Sequence, residues 1–246
     1  LNHYLGPANR YDLNAYGVDP SSEKFKSFIN PKVNVFYEFF GSEFINKFHD
    51  KEFHIITSIA MFYDLDDPKD FVKTIASCLS KDGVWSLELS YLPLFLQQLS
   101  YDQLCHEHVG YYNLADLKNL FHNFDLQIFE VSLNDMNGGS IYIKVCHDSA
   151  IKKYSNKKNN DLIDNLIIRE KMMEEDNSLV KFKNRLIMQK NEIRNCPIHF
   201  VDIMATFLEI IQIKYPDYFR NNKIQPIQGE SFFSSFKNNY WTRIRP

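Results

Sequence analysis

The hydrophobic pattern changes character along the chain. Up to about residue 90, short β-branched and aromatic runs alternate with stretches whose apolar positions recur at helical spacing. AYGVD (15–19) reads as a short strand, and Pro20 then opens a helical stretch with Ser21 as its expected N-cap. VNVFYEFF (33–40) and FHIITS (53–58) are further strand candidates. Between 67 and 80, Phe71, Val72, Ile75, Ala76 and Leu79 share a helical face, and Asp82-Gly83 is expected to turn the chain into VWSLELS (84–90). Strands alternating with helices of about 10 to 15 residues predict βαβ units and a parallel sheet.

After Pro93 the pattern differs. Leu114, Leu117, Leu120 and Phe121 define an amphipathic helix over 113–124, with Asn113 as its cap. Two strand-like runs follow, LQIFEVSL (126–133) and SIYIKVCH (140–147), joined by NDMNGG. Asn137-Gly138-Gly139 is a turn signal there, because glycine reaches positive φ without steric cost. From 151 to about 195, Lys, Asn and Glu dominate around periodic Leu, Ile and Met, which predicts two helices or a hairpin acting as a solvated linker or lid. Residues 198–214 are apolar and helix-like, and 215–246 predict no element. The expected division is an α/β domain over 1–150 and a helical region over 151–246.

Of 246 residues, 44% are hydrophobic and 24% charged, a globular balance that excludes a disordered chain. A net charge of -3 gives no field for a nucleic-acid polymer. No apolar run reaches about 18 residues, so no membrane partner is expected. Cys78, Cys105, Cys146 and Cys196 stand singly, which fits reduced thiols in a soluble, cytoplasmic protein.

Two places carry chemistry. Asp19 closes a strand-like run, where an acid in an open α/β sheet holds ribose hydroxyls; a helix cap is the competing reading. A Gly-rich phosphate loop about 20 residues upstream is the usual companion, and only Gly6 and Gly17 precede Asp19. The second place is YDQLCHEHVGYY (101–112), dense in proton-transfer side chains. Three readings stay open: a metal site from Cys105, His106 and His108, a set of buried histidines satisfied by partners, and an active-site base.

TSIAMFYDLDDP (57–68), LELSYLP (87–93), SYDQLCHEHVGYY (100–112) and LNDMNGGSIYIKV (133–145), with GVDPSS (17–22), resemble the sugar C-methyltransferases. These are class I enzymes that use S-adenosylmethionine to methylate a carbon beside a ketone in nucleotide-linked deoxysugars. The resemblance implies an α/β, Rossmann-like methyltransferase sheet, truncated before its first strand and Gly-rich loop. It makes Asp19 the ribose acid, sets Phe39 and Phe40 near the adenine, and runs Ser58, Ala60 and Met61 along the cofactor. Glu107 and His108 match the acid and base, with His108 the proton abstractor; Cys105 stands where some members carry a catalytic Tyr. Tyr101 joins the catalytic groups, and Tyr91, Tyr111, Tyr112 and Asn137 face the small-molecule substrate. Asn137 replaces a His common before Gly-Gly-Ser. Zinc is expected only in a region preceding residue 1, and no metal site in this chain. Residues 151–246 would be a helical linker and the remnant of a second Rossmann-like domain, with NNYWTRIRP (238–246) a faint echo of it. The competing expectations are a non-catalytic remnant unable to hold the cofactor and a metal-dependent hydrolase.

Overall fold

The computed structural model describes residues 14–48, 52–192 and 200–210, together with separate positions between 212 and 233. It divides into two compact units, Leu1–Phe182 and Lys183–Pro246.

The first unit begins with β1 (Ala15–Val18) and β2 (Val33–Phe36), a parallel pair with Ala15 opposite Val33. A 3-10 helix, Pro20–Phe28, connects them. Its cap is Asp19, not the expected Ser21: the Asp19 carboxylate accepts from the Ser21 amide at 2.7 Å. The helix starts at Pro20, which suits the first helical position because no amide is needed there, so the cap position falls on Asp19 and Ser21 lies inside the first turn.

A four-stranded sheet of order β3-β4-β6-β5 follows. In chain order its elements are β3 (Phe53–Ile59), α1 (Pro68–Cys78), β4 (Leu79–Ser90), α2 (Leu92–Gln98), α3 (Leu114–His122), β5 (Leu126–Asn134) and β6 (Ser140–His147). β3 and β4 are parallel, while β6 runs antiparallel to both β4 and β5. Among the described residues no ladder joins β1 to β3.

Local chemistry explains most boundaries. Asp67 caps α1 by accepting from the amides of Lys69 and Asp70, each at 3.0 Å, and Asn113 caps α3 by accepting from Asp116 at 2.7 Å. The expected turn at Asp82-Gly83 does not form. β4 runs straight through it, and its register against β3 jumps between the Phe53–Leu79 and Ile55–Val84 pairs. Gly83 makes that irregularity possible, since a Cβ there would stand 2.8 Å from the Phe53 carbonyl oxygen.

The core lies on one face of this sheet. Trp85, Leu87 and Leu89 of β4 and Ile141, Ile143 and Val145 of β6 meet Phe71 and Ile75 of α1 and Leu117 and Phe121 of α3. After α4 (Ile151–Tyr154) comes α5 (Lys157–Glu175), which packs on β5 and α3 and sends Ile163 and Leu166 into the same cluster. The expected boundary at 150 and the solvated linker are therefore corrected. Without α5 that apolar surface would face water, and the first unit extends to Phe182, within α6 (Ser178–Glu192).

The second unit holds α7 (Phe200–Ile210) and two short antiparallel strands, β7 (Tyr218–Phe219) and β8 (Asn222–Lys223). The Thr206 hydroxyl accepts from the Phe232 amide at 2.9 Å. The expected echo at 238–246 and Cys196 lie outside the described residues. No helix among the described residues is long and apolar enough to cross a membrane.

Candidate active site

Parallel strands bring their carboxyl ends to one side. β1 ends at Asp19, whose amide donates to the Phe36 carbonyl at 3.0 Å and so ties it to the end of β2. β3 ends at Ala60, whose amide donates to the Glu88 carbonyl of β4 at 2.9 Å. Ala60 has φ 53, left-handed backbone that costs a non-glycine residue about 1–2 kcal/mol. Such strain at a sheet rim persists only where the surroundings over-determine it. Met61 and the 3-10 turn Phe62–Asp64 follow, anchored by the fully buried Phe62.

Beyond β4 two distant sequence segments are clamped together. The Tyr91 amide donates to the Gly139 carbonyl at 3.0 Å, and the Leu92 amide to the Tyr112 carbonyl at 2.9 Å. The Ser100 hydroxyl donates to the Gly138 carbonyl at 3.0 Å. Gly138 is required there, since it has φ +73 and a Cβ would lie 2.3 Å from the Ser100 hydroxyl oxygen. The Tyr111 hydroxyl closes the loop onto the Gln103 carbonyl at 2.9 Å.

This clamp presents His108. Its amide donates to the Cys105 carbonyl at 3.3 Å, and its half-buried ring lies 4.3 Å from the Tyr63 ring and 6.3 Å from the Tyr111 ring, centroid to centroid. The Gly110 amide donates to the Tyr63 carbonyl at 2.9 Å, which joins this loop to the turn after β3. Burial holds the Asp64 carboxyl above its ordinary value; the nearby His108 charge opposes that and Glu107 adds to it. Burial also raises the Tyr63 hydroxyl, helped by Asp64, Cys105 and Glu88. Tyr111 is raised by burial and then by Cys105, and Tyr112 by burial. The imidazole therefore stands beside a Tyr63 phenol that stays a neutral donor and near the Asp64 and Glu107 carboxyls, with Tyr111 holding the loop. A histidine ring so placed is a candidate proton acceptor.

The expected residues are not all part of this group. Cys105, His108 and Tyr111 come together, Glu107 is exposed within electrostatic reach of Asp64, and Tyr112 is half-buried with its ring 5.3 Å from Phe62. Asn137 is exposed in the left-handed turn at φ 50. Three expectations are corrected. Ser58 is buried and accepts from the Trp85 indole at 3.0 Å, because its strand position faces the core and not the rim. Phe40 packs its ring 5.2 Å from Phe71 in the core edge, which leaves Phe39, 84% exposed, as the open member of the pair. Tyr91 is 2% exposed and gives its hydroxyl to Glu170 at 2.5 Å, so it supports the rim from beneath and does not face substrate. Met61 is half-buried against the core, and the Tyr101 side chain lies outside the described residues. Tyr63, Asp64, Glu88 and Glu170 were not singled out from sequence. Tyr63 and Asp64 in TSIAMFYDLDDP and Glu88 in LELSYLP carried a signal, and Glu170 carried none. No group of three or more His, Cys, Asp or Glu among the described residues could hold a metal ion.

The model of a methyltransferase domain family matches residues 3–131. The chain belongs to the methyltransferase domain family. Over 82 residues it is 30% identical to the C-methyltransferase NovU of Streptomyces niveus, a match covering 33% of this chain and 20% of that protein. The chain thus spans about a fifth of that relative's length. Similar solved structures include the plantazolicin methyltransferase BpumL with SAH bound, at 14% identity and TM-score 0.42, covering 55% of this chain and 67% of that one. Another is the magnesium protoporphyrin IX methyltransferase of Synechocystis PCC 6803 with bound SAH, at 8% identity and TM-score 0.39, covering 54% and 63%. The α/β, Rossmann-like sheet is that of a methyltransferase domain.

Within this family's fold, the rim of β1 and β2 suits an adenosyl group in part. Asp19 presents an exposed carboxylate, and Phe39 an exposed aromatic face, at the ends of neighbouring parallel strands. One Asp19 oxygen takes the Ser21 amide, and a carboxylate has lone pairs left for hydroxyls. Ser58 does not fit such a role, since it is buried on the core face, where its oxygen accepts from the Trp85 indole.

Proposed function

We propose that this chain is an S-adenosylmethionine-dependent C-methyltransferase that acts on a carbon beside a ketone, with a nucleotide-linked keto-sugar as the acceptor class. The observation that carries this reading is the half-buried His108 imidazole, seated against Tyr63 and Tyr111 beyond the ends of two parallel strands. A carbon next to a carbonyl becomes a nucleophile only after losing a proton, and His108 is the group placed to accept it. Tyr63 keeps its hydroxyl proton at neutral pH and can donate to the oxygen that gains charge as that proton leaves, while the Tyr111 hydroxyl is engaged with the Gln103 carbonyl and fixes the loop. Asp19 receives ribose hydroxyls, and Phe39 covers an adenine face. When bound, S-adenosylmethionine supplies an electrophilic methyl group. The name of the NovU relative supports transfer to carbon. The unpaired thiols of Cys78, Cys105 and Cys146 support a reducing, cytoplasmic setting.

Calorimetric titration of the whole chain with S-adenosylmethionine tests the reading. Binding that Asp19→Ala weakens about tenfold or more would support it, since a charge-assisted bond contributes roughly 1.5–3 kcal/mol. A folded chain that takes up no S-adenosylmethionine would favour the non-catalytic member of the same family.

A further inference from the structure

Glu170 sits in a run of charged residues on α5, yet it is 3% exposed. Its carboxylate accepts three hydrogen bonds: from the Tyr91 hydroxyl at 2.5 Å, the Leu114 amide at 2.6 Å and the Ala115 amide at 3.0 Å. A buried carboxylate is costly unless such bonds compensate it. Its donors come from two places that frame the His108 loop. Leu114 and Ala115 open α3, directly after residues 100–112, and with Asn113 bonding Asp116 the whole first turn of that helix is satisfied. Tyr91 is the residue whose backbone holds Gly139 and bridges Tyr112. One side chain thus fixes where the loop leaves the sheet and where it enters the helix.

We propose that Glu170 is a positioning residue for the His108 loop, an inference that rests on reading that rim as the active site. α5 has its own anchors in Ile163 and Leu166, so the carboxylate is not needed merely to hold the helix on the sheet. Its distinctive contribution is to fix Tyr91 and the start of α3 relative to each other, and through them the placement of the imidazole against Tyr63.

The test uses the full chain with labelled histidine and follows ring resonances and amide exchange in Glu170→Gln and Tyr91→Phe. A glutamine offers one acceptor oxygen where the carboxylate offers two. In Glu170→Gln, exchange at Leu114 and Ala115 should accelerate about tenfold or more. The His108 ring signals should shift while those of His54 and His147 hold. Tyr91→Phe, which loses a single bond, should move His108 in the same sense by less. A folded Glu170→Gln with His108 signals in their native places would overturn the proposal. Should that variant fail to fold, an unmoved His108 in Tyr91→Phe would overturn it equally. If His108 moves as expected while the native chain takes up no S-adenosylmethionine, the positioning role stands and the active-site reading falls.

Discussion

The His108 imidazole lies against the Tyr63 ring with centroids 4.3 Å apart, and the Gly110 amide returns to the Tyr63 carbonyl at 2.9 Å. This pair connects the turn after β3 to the loop after β4, the two rims between which a substrate carbon would be activated. Replacing His108 by Gln keeps a polar side chain and removes the basic imidazole nitrogen. Methyl transfer should then fall by about 10²- to 10⁴-fold, with the affinity for S-adenosylmethionine unchanged by calorimetry. Transfer at the native rate would remove His108 from the chemistry.

Tyr63→Phe separates packing from hydrogen bonding at the same contact. The ring remains, so the His108 signals should hold, while the rate drops by about tenfold or more as one donor is lost. An unchanged rate would leave Tyr63 a packing partner only.

At the carboxyl end of β3, Ala60 carries a Cβ in left-handed backbone. Ala60→Gly should raise stability by up to about 1 kcal/mol, the relief being partly offset by a more flexible unfolded chain. Ala60→Val should lower it. Urea midpoints measure both, and a loss on introducing glycine would contradict the strain.

The clamp at Gly138 predicts a coupled pair. Gly138→Ala should cost at least about 1–2 kcal/mol from its positive φ alone, with the contact to Ser100 adding more. Adding Ser100→Gly should recover the steric part and not the conformational part. A double-mutant cycle in urea measures that coupling.

Burial pushes the Cys78 and Cys146 thiols from 9.0 up to about 11, and Asp148 adds to the second. A folded-state value above the unfolded one means that this stability is complete below about pH 9 and is lost as pH rises toward 11. Each thiol accounts for about 2–3 kcal/mol across that window. Burial and the Glu170 carboxylate raise Tyr91 as well, which adds to the alkaline loss. The thiol contribution to the urea midpoint should therefore stay level from neutral pH up to about pH 9 and fall above it. Cys78→Ala should make the fall shallower, and an identical slope would refute the assignment.

What could be read from sequence depended on how local the physics is. The Asn113 cap, the helix at 113–124 and the NGG turn are short-range choices, and all appear where the pattern put them. Asp19 outcompeted Ser21 as a cap because both residue types suit that place and only geometry decides between them. Asp82-Gly83 reads as a turn until a neighbouring strand needs the glycine for close approach. The direction of Ser58 depends on which face of the sheet α1 and α3 cover, since its partner Trp85 packs against Phe71 and Phe121, and the burial of Tyr91 involves Glu170 on α5, 79 positions later. Glu170 was invisible for the same reason. Within Arg169-Glu170-Lys171 nothing marks it off from a solvated charge, and its partners lie 55, 56 and 79 positions away in the chain.

Proton exchange in heavy water examines the core of the proposal before any methyl group moves. A nucleotide-linked keto-sugar is incubated with the whole chain, and deuterium at the carbon beside its ketone is followed by NMR. The native chain should wash deuterium into that position, and His108→Gln should not. Exchange at the same rate in both, with the variant folded, would contradict the assignment of the base.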